Sequence, residues 1–335
     1  MRTTERCNVG CYHCSISATP KGEDVFVDLA NDAIKDAHVY GIKRVHFTGG
    51  EPLLYENLGE LIATTQDLGM SSDVTTSTFT HIDEETLNIL DSLSQQGLEC
   101  VMLSYDEPHS RRVSIDHFVK FAKRSQELGL HICVFVTEGG NTTFKLEDLK
   151  EILLTNEIDV NSIEWTISDF QYEGRGAKYY SEEINNKDQE ESGHYCRCPY
   201  VMTVPTLHSN GDILLCHLSR LKSKNFILGK YPEESLESIF NKLENSPIYR
   251  YLAKYGPQTS LLKLGESIED IPKDMCRACE KYLTLMESIE NIVKLDSLIA
   301  KDDLSNIEVD FDSIMPIYQR FITENGEKLE NSTHL

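Results

Sequence analysis

Arg44-Val45-His46-Phe47-Thr48-Gly49-Gly50-Glu51-Pro52 is the stretch from which the fold is read. A short β-prone run ends on two glycines, where the chain can turn and where a ligand can approach the main chain. Outward from it the same unit recurs. Runs rich in Val, Ile, Phe and Thr at 44–47, 73–78, 99–104, 131–136 and 162–167 alternate with longer stretches at 58–68, 84–93, 115–128 and 146–154. In the longer stretches the apolar residues fall at i, i+3 and i+4, the helical period. Asn57, Asp83 and Ser114 stand where helix N-caps belong, and Gly41, Gly69, Gly97 and Gly129 where helix passes to strand. Strands alternating with helices at this pitch predict an α/β fold, either a parallel sheet or a partial barrel. In a barrel the chemistry belongs at the C-terminal strand ends.

The chain has 335 residues, room for about two domains, and its 40% hydrophobic and 26% charged content is that of an ordinary globular protein. Lys and Arg number 32 against 55 Asp and Glu, a formal charge of -23. That argues against a sequence-independent grip on nucleic acid or on an anionic membrane surface. No apolar run approaches ~20 residues and the N-terminus has no signal-peptide core, so a cytoplasmic protein is expected. Character changes near residue 172. Residues 181–195 read as an acidic connector, followed by extended runs at 200–207 and 212–215 joined through Ser209-Asn210-Gly211, a hairpin signal. Pro205 marks an edge or bulge. Helical segments are expected around 235–243 and 282–298, then a polar tail. The expected domains are 1–180, the connector 181–195, a second unit over 196–285, and a helical segment with tail over 286–335.

The ten cysteines are unusual, and clustered cysteines in a reducing compartment read as metal or redox chemistry. Cys7-Asn8-Val9-Gly10-Cys11-Tyr12-His13-Cys14 has the form C-x3-C-x2-C. Three thiolates in such a loop can hold one face of an iron–sulfur cube and leave one iron open to chelate a small molecule. Zinc, which normally takes four ligands from paired motifs, and scattered core cysteines are the competing readings. With Thr48-Gly49-Gly50-Glu51-Pro52 downstream and Thr4-Glu5-Arg6-Cys7-Asn8 leading in, the pattern resembles the radical S-adenosylmethionine (SAM) superfamily over about residues 4–170.

That resemblance implies a partial (β/α)6, TIM-like barrel. It implies a [4Fe-4S] cluster held by Cys7, Cys11 and Cys14, with SAM chelated to the open iron by its amino and carboxylate groups. Gly49, Gly50, Glu51 and Pro52 would bind the methionine end, Glu51 accepting from the ammonium group. Ser77 and Ser104, at successive strand ends, would contact SAM ribose or carboxylate. Electron transfer into the sulfonium then gives methionine and a 5′-deoxyadenosyl radical that abstracts hydrogen from substrate. Six residues precede Cys7, so the first barrel strand is expected to be very short or missing, with no room for an N-terminal leader-peptide-binding domain; either another segment covers that edge or the true start lies upstream of Met1.

Downstream, Cys198 and Cys216 bracket the hairpin in C-x17-C relation, and Cys276 and Cys279 form a C-x2-C. Together they make a closed four-thiolate set, suited to an auxiliary cluster or to a zinc ribbon. The layout resembles the twitch domain, a shortened relative of the SPASM domain, which implies one auxiliary [4Fe-4S] cluster beside a small β-hairpin plus helix. Cys100 and Cys133, among apolar neighbours, read as core residues. Cys196 could be an alternative ligand, an inert thiol or a hydrogen-atom donor. Residues 104–109 resemble the Ser-Tyr-Asp-x-x-His stretch of radical SAM peptide epimerases, in which Tyr105, Asp106 and His109 could orient substrate or carry protons; a capped loop is the bland alternative. Arg175, in Gly174-Arg175-Gly176, could pair with a SAM or substrate carboxylate, or simply occupy a turn.

The resemblance therefore implies an enzyme that abstracts hydrogen from a ribosomally synthesised precursor peptide, supplied with electrons by an external donor of flavodoxin or ferredoxin type. The outcome could be a cross-link, another oxidation, or epimerisation. In the epimerases a second cysteine follows the hairpin ligand; here His217 stands in that place and cannot easily donate a hydrogen atom. Either Cys196 substitutes or the reaction is a net oxidation. A dehydrogenase of a small-molecule alcohol such as an aminocyclitol is the alternative, and a non-catalytic iron–sulfur or zinc protein is a third.

Overall fold

The computed structural model describes residues 1–78, 84–138, 142–168, 174–178, 197–198, 200–217 and 223–299. Six strands, β1 (Arg2–Thr4), β2 (Arg44–Gly49), β3 (Ser71–Thr76), β4 (Cys100–Ser104), β5 (His131–Thr137) and β6 (Ile163–Ser168), lie side by side in chain order. Every neighbouring pair is parallel. Helices α1 (Val27–Tyr40), α2 (Leu58–Asp67), α3 (Glu84–Gln95), α5 (Ile115–Glu127) and α6 (Leu146–Thr155) form the connections, with a single turn α4 (Glu107–Ser110) before α5. This is the α/β, partial-barrel arrangement expected from the alternating periodicities. The first strand exists but is only three residues long.

Element boundaries follow local chemistry. The Ser114 hydroxyl accepts from the backbone N–H of His117 at 3.3 Å, as an N-cap should. Asn57 precedes α2 without a side-chain cap bond. Gly41, Gly69, Gly97 and Gly129 all take positive φ at helix exits, where a Cβ would be strained.

Strand alternation sorts the sheet into two faces. Val101, Leu103, Ile132 and Val134 join the main core with Phe118 and Phe121 of α5. Cys100, Met102 and Cys133 form a separate buried cluster. This inner face also carries His46, Thr48, Asp73 and Thr75, which line the barrel lumen. The lumen is therefore polar on one side and apolar on the other.

The second region contains strands β7 (Thr206–Leu207), β8 (Asp212–Leu214) and β9 (Ile227–Lys230), an antiparallel sheet in that order. The β7–β8 turn at Asn210-Gly211 is the anticipated hairpin tip, with Gly211 N–H donating to the His208 carbonyl at 3.0 Å. Its first arm is shorter than the run 200–207 suggested, because Tyr200 opens a turn that accepts from Thr203. Among the described residues five helices follow, α7 (Leu236–Asn245), α8 (Pro247–Tyr255), α9 (Pro257–Lys263), α10 (Met275–Leu285) and α11 (Ile289–Ile299). The expected single helix over 282–298 is two helices, broken between Leu285 and Ile289. Helices α8 and α9 escaped the periodicity reading because each is short and opens on a proline. A third apolar cluster joins the two regions, with Ala33 of α1 against Leu236, Ile239 and Phe240 of α7. Tyr40 Oη donates to Glu244 at 2.6 Å and Tyr231 Oη to Asp36 at 2.9 Å across the same seam.

Helices α3 and α5 are clamped by Arg124, whose Nε and Nη2 meet the two oxygens of Asp91 at 2.7 and 2.8 Å. That bidentate pair holds Asp91 below the ordinary carboxylate value. A carboxylate with a lowered folded-state pKa adds stability that is present above about pH 4 and is lost as pH falls through the folded value. Asp91→Asn is accordingly expected to lower the urea midpoint modestly at neutral pH, with the gap to wild type closing on acidification.

Candidate active site

The cluster loop is fastened to the rim of β2 by main-chain contacts. Gly50 N–H donates to the Thr4 carbonyl at 2.7 Å and Glu51 N–H to the Arg6 carbonyl at 2.8 Å. A Cβ on Gly50 would lie 2.1 Å from the Arg6 carbonyl oxygen, and one on Gly49 2.2 Å from that of Thr4. Only glycine permits this approach. From the other side Cys7 N–H donates to Thr19 at 2.9 Å, and Arg6 reaches Asp24 through Nε at 2.9 Å and Nη2 at 2.6 Å.

Cys7, Cys11 and Cys14 all border one cavity of about 1500 Å³. Burial pushes the Cys7 thiol up to about 11, while backbone N–H bonds from Gly10 and Val9 to its sulfur favour the thiolate. Such N–H donors stabilise sulfur that ligates a metal. The loop thus presents three cysteines, one already receiving backbone donors, at the edge of an open space. Those features fit a cluster held from one side.

Gly49, Gly50, Ser77, Ser104, Asp106, His109 and Arg175 border the same cavity, so most of the residues singled out in the sequence converge. Glu51 is 1% exposed and does not present its carboxylate to the cavity. It accepts from Thr76 Oγ1 at 2.7 Å, Ser77 Oγ at 2.7 Å, Ser77 N at 3.0 Å and Leu53 N at 3.2 Å. Burial raises its pKa and the donors oppose that rise. In this structure Glu51 ties the Gly-Gly rim to the end of β3. Pro52 is buried and opens a short 3-10 turn.

Tyr105 is likewise absent from the cavity wall. Strand alternation turns it outward, where it is 2% exposed, donates to the Val113 carbonyl at 3.2 Å and packs on Phe118. Its neighbour Asp106 turns inward. Asp106 Oδ1 meets His109 Nδ1 at 2.5 Å, Oδ2 accepts from Thr137 N at 3.2 Å, and His13 Nε2 stands 3.6 Å from Oδ2. Burial opposes charge on Asp106, yet His109 beside it holds the carboxyl well below its ordinary range. Burial also opposes charge on His109, but Asp106 and then Cys11 hold its pKa well above the ordinary value. His13 is pushed down to about 4, by burial first and His109 second. His13 sits within the cysteine motif itself and was missed by a reading that weighed only the thiols.

Arg175 borders the cavity and also engages the cluster loop. Its Nε donates to the Cys11 carbonyl at 2.9 Å, its Nη1 to Ala18 at 2.6 Å, and its backbone N–H to Cys14 at 2.9 Å. Arg2 was also missed. It is 1% exposed on β1, lines the cavity, and donates through Nη2 to the His217 carbonyl at 2.5 Å. His217 borders the cavity edge-on to Tyr200, and burial pushes it down to about 4.

Cys198, Cys216, Cys276 and Cys279 come together. Burial, and after it the proximity of Cys198, Cys216 and Cys276, raise the Cys279 thiol well above its ordinary value. Cys276 and Cys279 lie one turn apart at the start of α10, whose N-cap Asp274 accepts from Arg277 N at 2.8 Å. Cys216 directly follows Leu215, beyond β8. Cys196 lies outside the described residues.

Glu51→Gln replaces an acceptor of four bonds by an amide that must turn an NH2 toward a donor, so a stability loss of about 1–3 kcal/mol is expected in urea unfolding. Gly50→Ala, which drives a methyl into the Arg6 carbonyl, should lose more.

The family model of the Radical SAM superfamily matches residues 1–153. The PqqA peptide cyclase of Bradyrhizobium diazoefficiens is 24% identical over 190 residues, covering 53% of this chain and 47% of that protein. The GTP 3′,8-cyclase of Clostridium botulinum is 24% identical over 213 residues, covering 57% of this chain and 61% of that protein. The chain thus spans less than two thirds of either relative. Among solved structures, Streptococcus suis SuiB bound to precursor peptide SuiA superposes with a TM-score of 0.57 at 17% identity, over 86% of this chain and 72% of that one. That likeness speaks to the fold alone. Among the described residues no helix is long and apolar enough to cross a membrane. With its parallel sheet, its three cysteines on one cavity and its Gly-Gly rim, the segment 1–153 is a radical SAM domain.

Proposed function

We propose that the chain is a radical SAM enzyme that oxidatively modifies a ribosomally synthesised peptide. The observation that carries this reading is the single cavity of about 1500 Å³ joining the cysteine loop to the barrel lumen. Pockets for one small ligand run ~300–1000 Å³, so this one has room for SAM and a peptide segment together. Similarity to a PqqA peptide cyclase supports a peptide substrate.

In this reading Cys7, Cys11 and Cys14 hold a [4Fe-4S] cluster, and Gly49 and Gly50 open their backbone to the methionine end of SAM. Bound together, cluster and SAM supply one-electron cleavage chemistry that generates a hydrogen-abstracting radical. Glu51 positions the rim through Thr76 and Ser77. Ser77 and Ser104 border the space for the nucleoside. Asp106 anchors His13 and His109 against the cysteine loop, and Arg175 straps that loop from the opposite side. Cys198, Cys216, Cys276 and Cys279 hold an auxiliary [4Fe-4S] cluster, an electron acceptor close to the same cavity. A flavodoxin- or ferredoxin-type protein supplies the reducing electron, in a cytoplasmic setting.

A net oxidation such as a cross-link is favoured over epimerisation because His217, whose imidazole does not easily give up a hydrogen atom, borders the cavity beside Cys216. The second reading is oxidation of a small molecule such as an aminocyclitol alcohol; the similarity to a GTP 3′,8-cyclase supports a small-molecule substrate and no more.

The test is anaerobic. Reconstituted protein with SAM and a chemical reductant should release 5′-deoxyadenosine, and Cys14→Ala should reduce this to background. With a precursor peptide encoded nearby, mass spectrometry should show loss of two hydrogens. Deuterium uptake without mass loss would instead mean epimerisation. Turnover of an aminocyclitol alone would favour the second reading, and absence of 5′-deoxyadenosine would sink both.

A further inference from the structure

At the opposite end of the barrel from the cluster loop, four ligand-type side chains meet on neighbouring strands. Cys100 opens β4, His131 opens β5, and Cys133 and Glu164 follow on β5 and β6. Register pairs Cys100 with His131 and Cys133 with Glu164. Two adjacent cross-strand pairs therefore bring all four residues to the N-terminal ends of three parallel strands. None of them borders the large cavity.

The Sγ atoms of Cys100 and Cys133 are 4.0 Å apart. Cys133 Sγ is 3.3 Å from Glu164 Oε2, which is 3.7 Å from His131 Nε2. Ligand atoms of Cys100, His131 and Cys133 all lie within 4.8 Å of one another. A tetrahedral zinc ion with Zn–S of ~2.3 Å and Zn–N or Zn–O of ~2.0 Å sets its ligands about 3.3–3.8 Å apart. Among Cys100, His131 and Cys133 the separations need closing by a few tenths of an ångström to somewhat over one, and Glu164, in reach of Cys133 and His131 but outside that group, has to swing toward Cys100 to complete the set. A disulfide would instead need the two sulfurs at ~2.05 Å, half their present distance.

We propose that Cys100, Cys133, His131 and Glu164 form a structural zinc site at the floor of the barrel, pinning β4, β5 and β6. Thiolate and imidazole donors select zinc over magnesium or calcium. The two cysteines are 6% and 2% exposed, whereas the side chains of His131 and Glu164 are 25% and 17% exposed. The buried sulfurs thus lie behind a partly open lip through which an ion can enter. Binding releases to solvent the two thiol protons and the imidazole proton that Cys133 and Glu164 favour on His131, as two Zn–S bonds and one Zn–N bond form, and no electron moves. Position supports a structural role, since the bottom of such a barrel serves stability and the top serves chemistry.

The test uses the full chain after iron–sulfur reconstitution, incubated with zinc chloride, desalted, and analysed for zinc and iron per chain. Wild type should hold one more zinc than His131→Gln, Glu164→Gln or Cys133→Ser, at equal iron content. Zinc affinity in the variants should fall by at least the ~10–100-fold that even outer-shell changes produce. Alkylation mapped by mass spectrometry should show Cys100 and Cys133 protected by zinc in wild type only, and zinc should raise the thermal midpoint in wild type alone. If Cys133→Ser fails to load iron, the partly exposed His131 and Glu164 variants decide. Zinc content equal in wild type and these variants, whether zero or not, would overturn the proposal. Iron content and 5′-deoxyadenosine formation report on the function proposed above, so the two can fail separately.

Discussion

The backbone contact between the segment Thr4-Glu5-Arg6 and the Gly49-Gly50 rim is the constraint on which the site depends. Two N–H bonds of 2.7 and 2.8 Å join the segments that leave strands β1 and β2, where a single methyl group would hold them apart. Because Cys7 follows directly, this contact sets the height of the whole cysteine loop above the barrel. Glu51 then transmits the position to β3 through Thr76 and Ser77, and Arg175 closes the loop from outside. A short first strand suffices because its register against β2 is enforced by glycine rather than by length.

The inner face of the sheet is unusual for a small barrel. Instead of branched aliphatic layers it carries His46, Thr48, Asp73 and Thr75 on one side and Cys100, Met102 and Cys133 on the other. Buried polar groups are tolerated where they bond to one another, and His46 with Asp73 does so. An open, polar lumen leaves room above it for ligands, while under β4 to β6 sulfur packs behind a partly open lip of imidazole and carboxylate.

The two regions of the chain share a seam. Leu236, Ile239 and Phe240 pack on Ala33 of α1, and two tyrosine hydroxyls bond across to acidic groups. Arg2 reaches His217 over the same junction. These contacts hold His217, and with it the neighbouring Cys216, at a defined place on the cavity wall.

The strands, the helices between them and the cysteine motif were legible in the sequence because they rest on local periodicity and spacing. Gly41, Gly69, Gly97 and Gly129 marked helix exits through a conformational preference carried by each residue alone. The convergence of Cys7, Gly50, Ser77, Ser104 and Asp106 on one cavity followed from strand order, which the βα pattern also implies. What tertiary structure alone decided was the use made of each side chain. Glu51 looks like a ligand-binding charge in sequence, yet it is engaged by hydroxyls from the end of β3, and Arg175, on the cavity wall, also holds carbonyls of a distant segment. Tyr105 turns outward, and Cys100 and Cys133 meet His131 and Glu164, because cross-strand register pairs residues some thirty positions apart. Local sequence determines which elements form; partners that far apart in the chain are chosen only when the sheet assembles.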